Sequence, residues 1–104
     1  MSRPTPITIE VSRLEELIPI ASAMHASIIN IDEERKIAFV FLTPIATLNP
    51  IIYYCRLDKP PEGKYAHFNR ISGRIRFSNE LSTEPNEVSI LIARVKARGI
   101  LGEI

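Results

Sequence analysis

Three arginines stand within seven residues of the segment HFNRISGRIRF, residues 67–77, where they alternate with apolar side chains. Arg70, Arg74 and Arg76 each carry a planar guanidinium, which binds carboxylates or phosphates through two parallel hydrogen bonds. The chain as a whole is nearly neutral, with a formal net charge of +1. We therefore expect the cluster to have a local anionic partner, either carboxylates of the same chain or a separate anionic molecule.

One other pair of side chains has catalytic potential, the thiol of Cys55 and the imidazole of His67. A thiolate beside a histidine can act as an activated nucleophile. Cys55, however, falls on the apolar side of its strand, where a packed and inert thiol is expected. The sequence has no glycine-rich phosphate loop and no residue cluster with metal-ligand spacing. We therefore expect a non-enzymatic protein with no metal and no cofactor.

The length and composition fit one small domain. The 104 residues match a single domain, taken as residues 1–104. A lone cysteine excludes an intramolecular disulfide, and no apolar run approaches the roughly 20 residues of a membrane helix. The first ten residues lack the apolar core of a signal peptide. We therefore expect a cytoplasmic protein.

The choice of residues is typical of proteins from hot environments. Arginine outnumbers lysine 9 to 4, glutamate outnumbers aspartate 10 to 2, and glutamine does not occur. Few thermolabile residues, many prolines and many charged pairs are common in thermophilic proteins. The expected source is a thermophilic archaeon.

A short strand and a helix are predicted in the first third of the chain. Residues 7–11 alternate between apolar and polar side chains, which indicates the strand. Ser12 and Glu15 have the spacing of a capping box, and apolar residues then recur at helical intervals over about residues 13–28. Pro19 lies inside this helix and predicts a kink or a break there.

Four more strands are predicted over residues 36–43, 51–57, 67–77 and 88–100, with Gly73 as a candidate bulge in the third of them. Residues 30–35 are predicted to form a polar turn. Short connections between these strands favour an antiparallel meander. The predicted order is thus β-α-β-β-β-β, an α+β two-layer fold with a mainly antiparallel sheet and one helix on one face.

Strand alternation predicts a basic and partly aromatic surface on the sheet face away from the helix. The cleanly apolar sides of the strands are assigned to the helix. The remaining side carries nine candidate binding residues, called here the predicted basic face: Tyr54, Arg56, Phe68, Arg70, Arg74, Arg76, Arg94, Lys96 and Arg98. Like charges on neighbouring strands repel, so this face requires a compensating partner.

Single-stranded RNA or DNA is the first partner that such a face predicts. Its cations would contact phosphates, while Tyr54 and Phe68 would stack on bases. The expected function is that of a small nucleic-acid-binding protein with little sequence preference.

A second copy of the chain is the alternative partner. Ile52, Val88, Ile90 and Ile92 interleave with the cations and make the face half apolar. Together with the apolar segments 45–48 and 100–104 it would form a homodimer interface whose rim glutamates pair with the arginines. Solvated arginines that merely balance glutamates are a third interpretation. We expect a homo-oligomer and no membrane partner.

Overall fold

A computed structural model describes residues 7–23, 28–42 and 50–96 of the chain. These residues form one α-helix packed on a seven-stranded, mostly antiparallel sheet. The predicted α+β class, with one helix on one face of the sheet, is therefore confirmed. The elements in chain order are β1 (Ile7–Glu10), α1 (Leu14–Ala23), β2 (Ile28–Asp32), β3 (Ile37–Leu42), β4 (Ile51–Arg56), β5 (Tyr65–Asn69), β6 (Ile75–Ser78) and β7 (Glu87–Arg94).

The strand order across the sheet is β1-β4-β3-β2-β7-β5-β6. Strands β2, β3 and β4 form one antiparallel unit, and strands β7, β5 and β6 form another. A parallel pairing of β2 with β7 joins the two units, and β1 extends the sheet in parallel to β4. The predicted meander of the last four strands is therefore wrong, because β4 does not lie beside β5.

Helix α1 follows the predicted apolar spacing but is shorter than expected. Leu17, Ile18 and Ala21 point into the core and are fully buried. The helix runs unbroken through Pro19, so the predicted break is wrong: proline removes only one backbone donor from the ladder. No helix among the described residues has the length and apolarity needed to cross a bilayer.

The N-terminus of α1 is capped by Glu16, the residue next to the predicted Glu15. The backbone N–H of Ser12 donates to the Glu16 carboxylate at 2.9 Å, so Glu16 has the capping role that was predicted for Glu15. The Glu16 amide donates in turn to the carbonyl oxygen of Arg13 at 3.0 Å. An acidic side chain here satisfies a free backbone donor and complements the positive end of the helix dipole.

Strand β2 was not predicted by the sequence pattern. Ile28 continues the helical spacing of the residues before it, but the helix ends at Ala23 and residues 28–32 are extended. Of the predicted polar turn 30–35, only residues 33–35 are in a turn; this turn also includes residue 36 and connects β2 to β3. Lys36 adopts a φ of 57° there, in the left-handed region. The β-branched run Ile28, Ile29 and Ile31 was the strand signal.

The segment 67–77, predicted as one strand, belongs to a hairpin of β5 and β6. Phe68 lies opposite Ile75, and the Asn69 N–H donates to the Arg74 carbonyl oxygen at 3.0 Å. Gly73 lies in the connecting turn with a φ of 72° and is not a bulge. Both strands alternate with the same period, so periodicity alone did not reveal the reversal of the chain.

The main core lies between α1 and the sheet. Ile90 and Ile92 of β7 are buried in it, whereas the sequence placed them on the opposite face. The assignment failed because β7 ends at Arg94, so Lys96 lies beyond the strand and carries no information about its faces. A smaller cluster of Ile37, Phe39 and Ile52 is buried on the other face of the sheet.

Replacing Glu16 tests the helix start. We expect Glu16→Ala to lower the free energy of unfolding by about 1 kcal/mol, because the Ser12 amide loses a charged acceptor. Glu15→Ala removes a like charge from the same turn but no hydrogen bond, and should lower it by only about 0.3 kcal/mol. Urea denaturation of both variants measures the difference. Equal losses would show that the Glu16 contact contributes nothing beyond its charge.

Candidate functional site

The predicted basic face does not assemble as one surface. Tyr54 and Arg56 belong to β4, whereas Arg76 belongs to β6 at the far side of the sheet. Four strand spacings separate β4 from β5, which amounts to roughly 19 Å. Arg94 follows the buried Ile92 on the helix side of β7. The members of the predicted basic face that the structure describes are therefore distributed over both faces and both ends of the sheet.

Three of the candidate arginines are already paired with glutamates. Arg56 forms an ion pair with Glu10 at 3.3 Å. Arg94 pairs with Glu33 and also donates to the Pro61 carbonyl oxygen at 2.9 Å. Arg76 pairs with a third glutamate, which is described below. These three guanidinium groups are therefore paired with carboxylates of the same chain, which is one of the two kinds of anionic partner that the sequence indicated.

The two aromatic candidates are separated as well. Phe68 packs against the helix-side core. The hydroxyl of Tyr54 donates to Glu10 at 3.4 Å, and its ring packs against the cluster on the other face. The structure thus does not bring the two rings into one stacking surface. Lys96 is exposed after the end of β7, and Arg98 lies outside the described residues.

The turn between β5 and β6, residues 70–74, is called here the hairpin tip. All of its five residues are exposed, and the Ile71 side chain keeps 78% of its surface in contact with solvent. Neither Arg70 nor Arg74 makes a side-chain hydrogen bond or ion pair with the residues that the structure describes. Two cations flanking one bare apolar side chain therefore remain available to a partner.

Backbone hydrogen bonds fix the shape of the hairpin tip. The Asn69 side-chain oxygen accepts from the amides of Ile71 and Ser72, both at 2.9 Å. The Gly73 N–H donates to the Asn69 carbonyl oxygen at 2.8 Å, which requires the positive φ that glycine adopts without strain. The Arg70 amide donates to the carbonyl oxygen of Asn86 at 2.9 Å. The tip is thus anchored to the rest of the fold before any partner binds.

A bidentate ion pair stands at the base of the hairpin tip. The Arg76 guanidinium donates to both oxygens of Glu87, at 3.0 and 2.8 Å, and Ser82 donates a further hydrogen bond to the same carboxylate. These hydrogen bonds, chiefly that from Arg76, lower the pKa of Glu87 from 4.5 to about 2. Glu87 lies opposite Asn69 in the sheet, and its charge is paired with Arg76 rather than with the arginines of the hairpin tip.

His67 is fully buried and anchors the loop that follows β6. Its Nε2–H donates to the Glu80 carbonyl oxygen at 2.9 Å, because that oxygen can only accept. Its Nδ1 then accepts from the Ser89 hydroxyl at 2.9 Å, and the Ser89 oxygen accepts from the Ser82 amide at 3.1 Å. Every polar atom of the ring is satisfied, so His67 serves the architecture of the loop.

The structure separates the one nucleophile and base pair that the sequence offered. Cys55 is buried in the helix-side core, and burial raises the pKa of its thiol to about 11. His67 makes its contacts on the other face of the sheet, on a strand four positions away from that of Cys55. The predicted burial of Cys55 is confirmed. Within the described residues, no group of three metal-ligating side chains comes together either.

A row of exposed apolar side chains crosses the sheet face opposite the helix. Ile28 lies beside Leu91, and continuing the β2–β3 register two residues beyond the Asn30–Phe39 pair brings Ile28 next to Phe41. Their exposed fractions are 42% for Ile28, 38% for Leu91 and 44% for Phe41. We call these three residues the apolar row. They continue the sheet face that begins with the buried Ile52, which lies opposite Phe41.

Comparison with protein-family models, curated proteins and solved structures finds no significant match to this chain. The support for the candidate site therefore comes from the geometry of its own residues. Among the members of the predicted basic face that the structure describes, Arg70 and Arg74 are the two that share one exposed turn without an ion pair to a described residue. The sequence singled out both residues but placed them on a strand. The spacing of Asn69 and Gly73, two residues that favour turns, was the signal for a hairpin.

The acid dependence of stability tests the Arg76–Glu87 pair. Because folding lowers the pKa of Glu87, its contribution is complete above the unfolded value of about 4.5 and is lost as the pH falls toward 2. We expect the difference in unfolding free energy between wild type and Glu87→Gln to be largest near neutral pH and to vanish near pH 2. Denaturant titrations across this range measure it. In an Arg76→Ala background most of the difference should be gone, and its persistence would contradict the pairing.

Proposed function

We propose that this protein binds nucleic acid through the hairpin tip and catalyses no reaction. The observation that supports the proposal is that Arg70 and Arg74, on an exposed and internally fixed turn, form no side-chain ion pair or hydrogen bond with any residue that the structure describes. Guanidinium groups bind phosphate oxygens through paired hydrogen bonds. Phosphate is therefore the anion that these two side chains suit best.

The distribution of ion pairs favours the hairpin tip over the other arginines as the binding site. Arg56, Arg76 and Arg94 each lie against a glutamate, so recruiting them to a ligand would require breaking an existing pair. Arg70 and Arg74 need no such exchange. Among the described members of the predicted basic face, Arg70 and Arg74 are therefore the strongest candidates, because the exposed Lys96 lies beyond the opposite end of β7 and the nearby Arg76 is paired with Glu87.

Little sequence preference follows from contacts of this kind. Phosphate contacts fix the position of a protein on nucleic acid but do not read bases. A location in the cytoplasm of a thermophilic archaeon remains part of the proposal, supported by the single unpaired cysteine and by the arginine- and glutamate-rich composition.

Salt dependence tests the proposed function. Each neutralised phosphate contributes a slope of about −0.7 on single strands, or −0.9 on duplex DNA, to log K against log salt. We expect Arg70→Ala and Arg74→Ala each to weaken binding and to reduce the slope by about one contact. Fluorescence anisotropy with labelled single strands and duplexes between 50 and 200 mM salt, a range in which such contacts are sensitive, measures both quantities.

Lys59→Ala is the charge-matched control. Lys59 is exposed and lies in the connection that enters the opposite end of β5, away from the tip. Its removal should leave the slope within error of the wild type. Failure of the wild type to bind any RNA or DNA at about 50 mM salt would overturn the proposed function.

Self-association is the second candidate function, and the apolar row favours it. Ile28, Phe41 and Leu91 lie on three neighbouring strands near the middle of the sheet. A two-fold axis through this row would pack the same residues of two copies against each other, which is the arrangement of an isologous dimer. The row is small, so such a dimer would need further contacts around it.

Solution mass tests the second candidate. A dimer should sediment at about twice the chain mass of 11.7 kDa, and Leu91→Ser should shift it toward the monomer because apolar contact area is lost. Ile7→Ser changes an exposed isoleucine on the edge strand β1, two strand positions from the nearest strand of the row, and should leave the mass unchanged. A monomer at high micromolar concentration would exclude self-association.

A further inference from the structure

We propose that the hairpin tip enters the minor groove of duplex DNA and places Ile71 as a wedge between neighbouring base pairs. This inference rests on the proposed function and adds to it the class of nucleic acid and the role of one apolar residue. It differs from the sequence-based expectation, which was a single strand lying on an aromatic sheet face.

The aromatic groups needed to hold a single strand are not at the tip. Sequence-tolerant binding of single strands depends on rings that stack on successive bases. Phe68 packs in the core and Tyr54 is bonded to Glu10 at the far side of the sheet. Residues 70–74 contain no ring at all. The contact chemistry of the tip therefore consists of two cations and one aliphatic side chain.

That combination matches minor-groove binding. Arginines enter the narrow, electronegative minor groove, and isoleucine is among the apolar residues that proteins insert between base steps there. The Asn69 N–H donates to the Arg74 carbonyl oxygen at 3.0 Å across the hairpin, so the backbones of Arg70 and Arg74 lie near each other at the base of the turn that carries Ile71. The cations would contact phosphates or base edges while the aliphatic group meets the stacked bases.

The exposure and rigidity of Ile71 support a wedge. At 78% exposure it is the most exposed of the large apolar side chains that the structure describes. Its own amide is held by the Asn69 side chain at 2.9 Å, so the residue is presented on a fixed turn. Little conformational entropy is then lost when the tip inserts, which favours binding.

DNA suits the tip better than duplex RNA. A two-stranded ribbon fits a groove of B-form DNA, as several β-sheet DNA readers demonstrate. The minor groove of A-form RNA is wide and shallow, and its major groove is too narrow for side chains to read. A wedge also has a testable signature, because unstacking is easier at a nick or a mismatch than in a perfect duplex.

The experiment compares one 20-base-pair DNA duplex in three forms: perfect, nicked at its centre and carrying a central mismatch. We expect wild-type protein to bind the nicked and mismatched forms about ten-fold more tightly than the perfect form at constant salt. Ile71→Ala should reduce this preference to about two-fold while keeping the salt slope, because the arginines remain. Energy transfer between dyes at the two duplex ends should report bending by the wild type and less bending by Ile71→Ala.

Leu81→Ala is the matched control, since Leu81 is 63% exposed but lies on the loop after β6 rather than at the tip. It should keep the full preference. Binding that depends on Arg70 and Arg74 but shows no preference for nicked or mismatched DNA, or a preference that Ile71→Ala leaves intact, would overturn the wedge and leave the proposed function standing. Tighter binding to single strands or to duplex RNA would also overturn it. No binding to any nucleic acid would overturn the proposed function itself.

Discussion

The parallel pairing of β2 with β7 is the interaction on which the rest of the sheet depends. It is the one strand pair among the described residues that joins the β1-β4-β3-β2 unit to the β7-β5-β6 unit. The pairing also fixes which side of β7 faces α1, and so buries Ile90 and Ile92 beside Ile29 and Ile31. A shift of one residue in this register would turn the isoleucines of β7 toward solvent.

Local patterns predicted most of the elements but not their arrangement. The apolar spacing of α1 and the β-branched runs of β3 and β4 are short-range signals, and the structure has all three elements; the two strands lie close to the predicted bounds, whereas the helix ends five residues earlier than predicted. Strand β2 was missed because a single isoleucine, Ile28, satisfied both a helical and an extended pattern. The strand order could not be predicted, since which strands become neighbours depends on contacts between distant parts of the chain.

The sequence identified the arginines of the candidate site by residue type but assigned them to the wrong structural element. Arginine spacing identified Arg70 and Arg74, yet reading residues 67–77 as one strand gave them a common face with Arg76. Whether an arginine is paired depends on a glutamate elsewhere in the chain, such as Glu10 for Arg56 or Glu33 for Arg94. No spacing in the sequence records those partners. The division between paired and unpaired cations is therefore information that only the folded chain supplies.

The position of β7 at the end of the described chain sets the order in which the fold can be completed. Hairpins such as β3–β4 and β5–β6 link nearby residues, but Ile28 meets Leu91 only after a loop of about 60 residues has closed. The closing step should therefore limit the folding rate, as in other sheets dominated by non-local pairing. Until it occurs, β2 and β5 present open edges in an incomplete molecule, which makes the nascent chain most prone to aggregation just before β7 is synthesised.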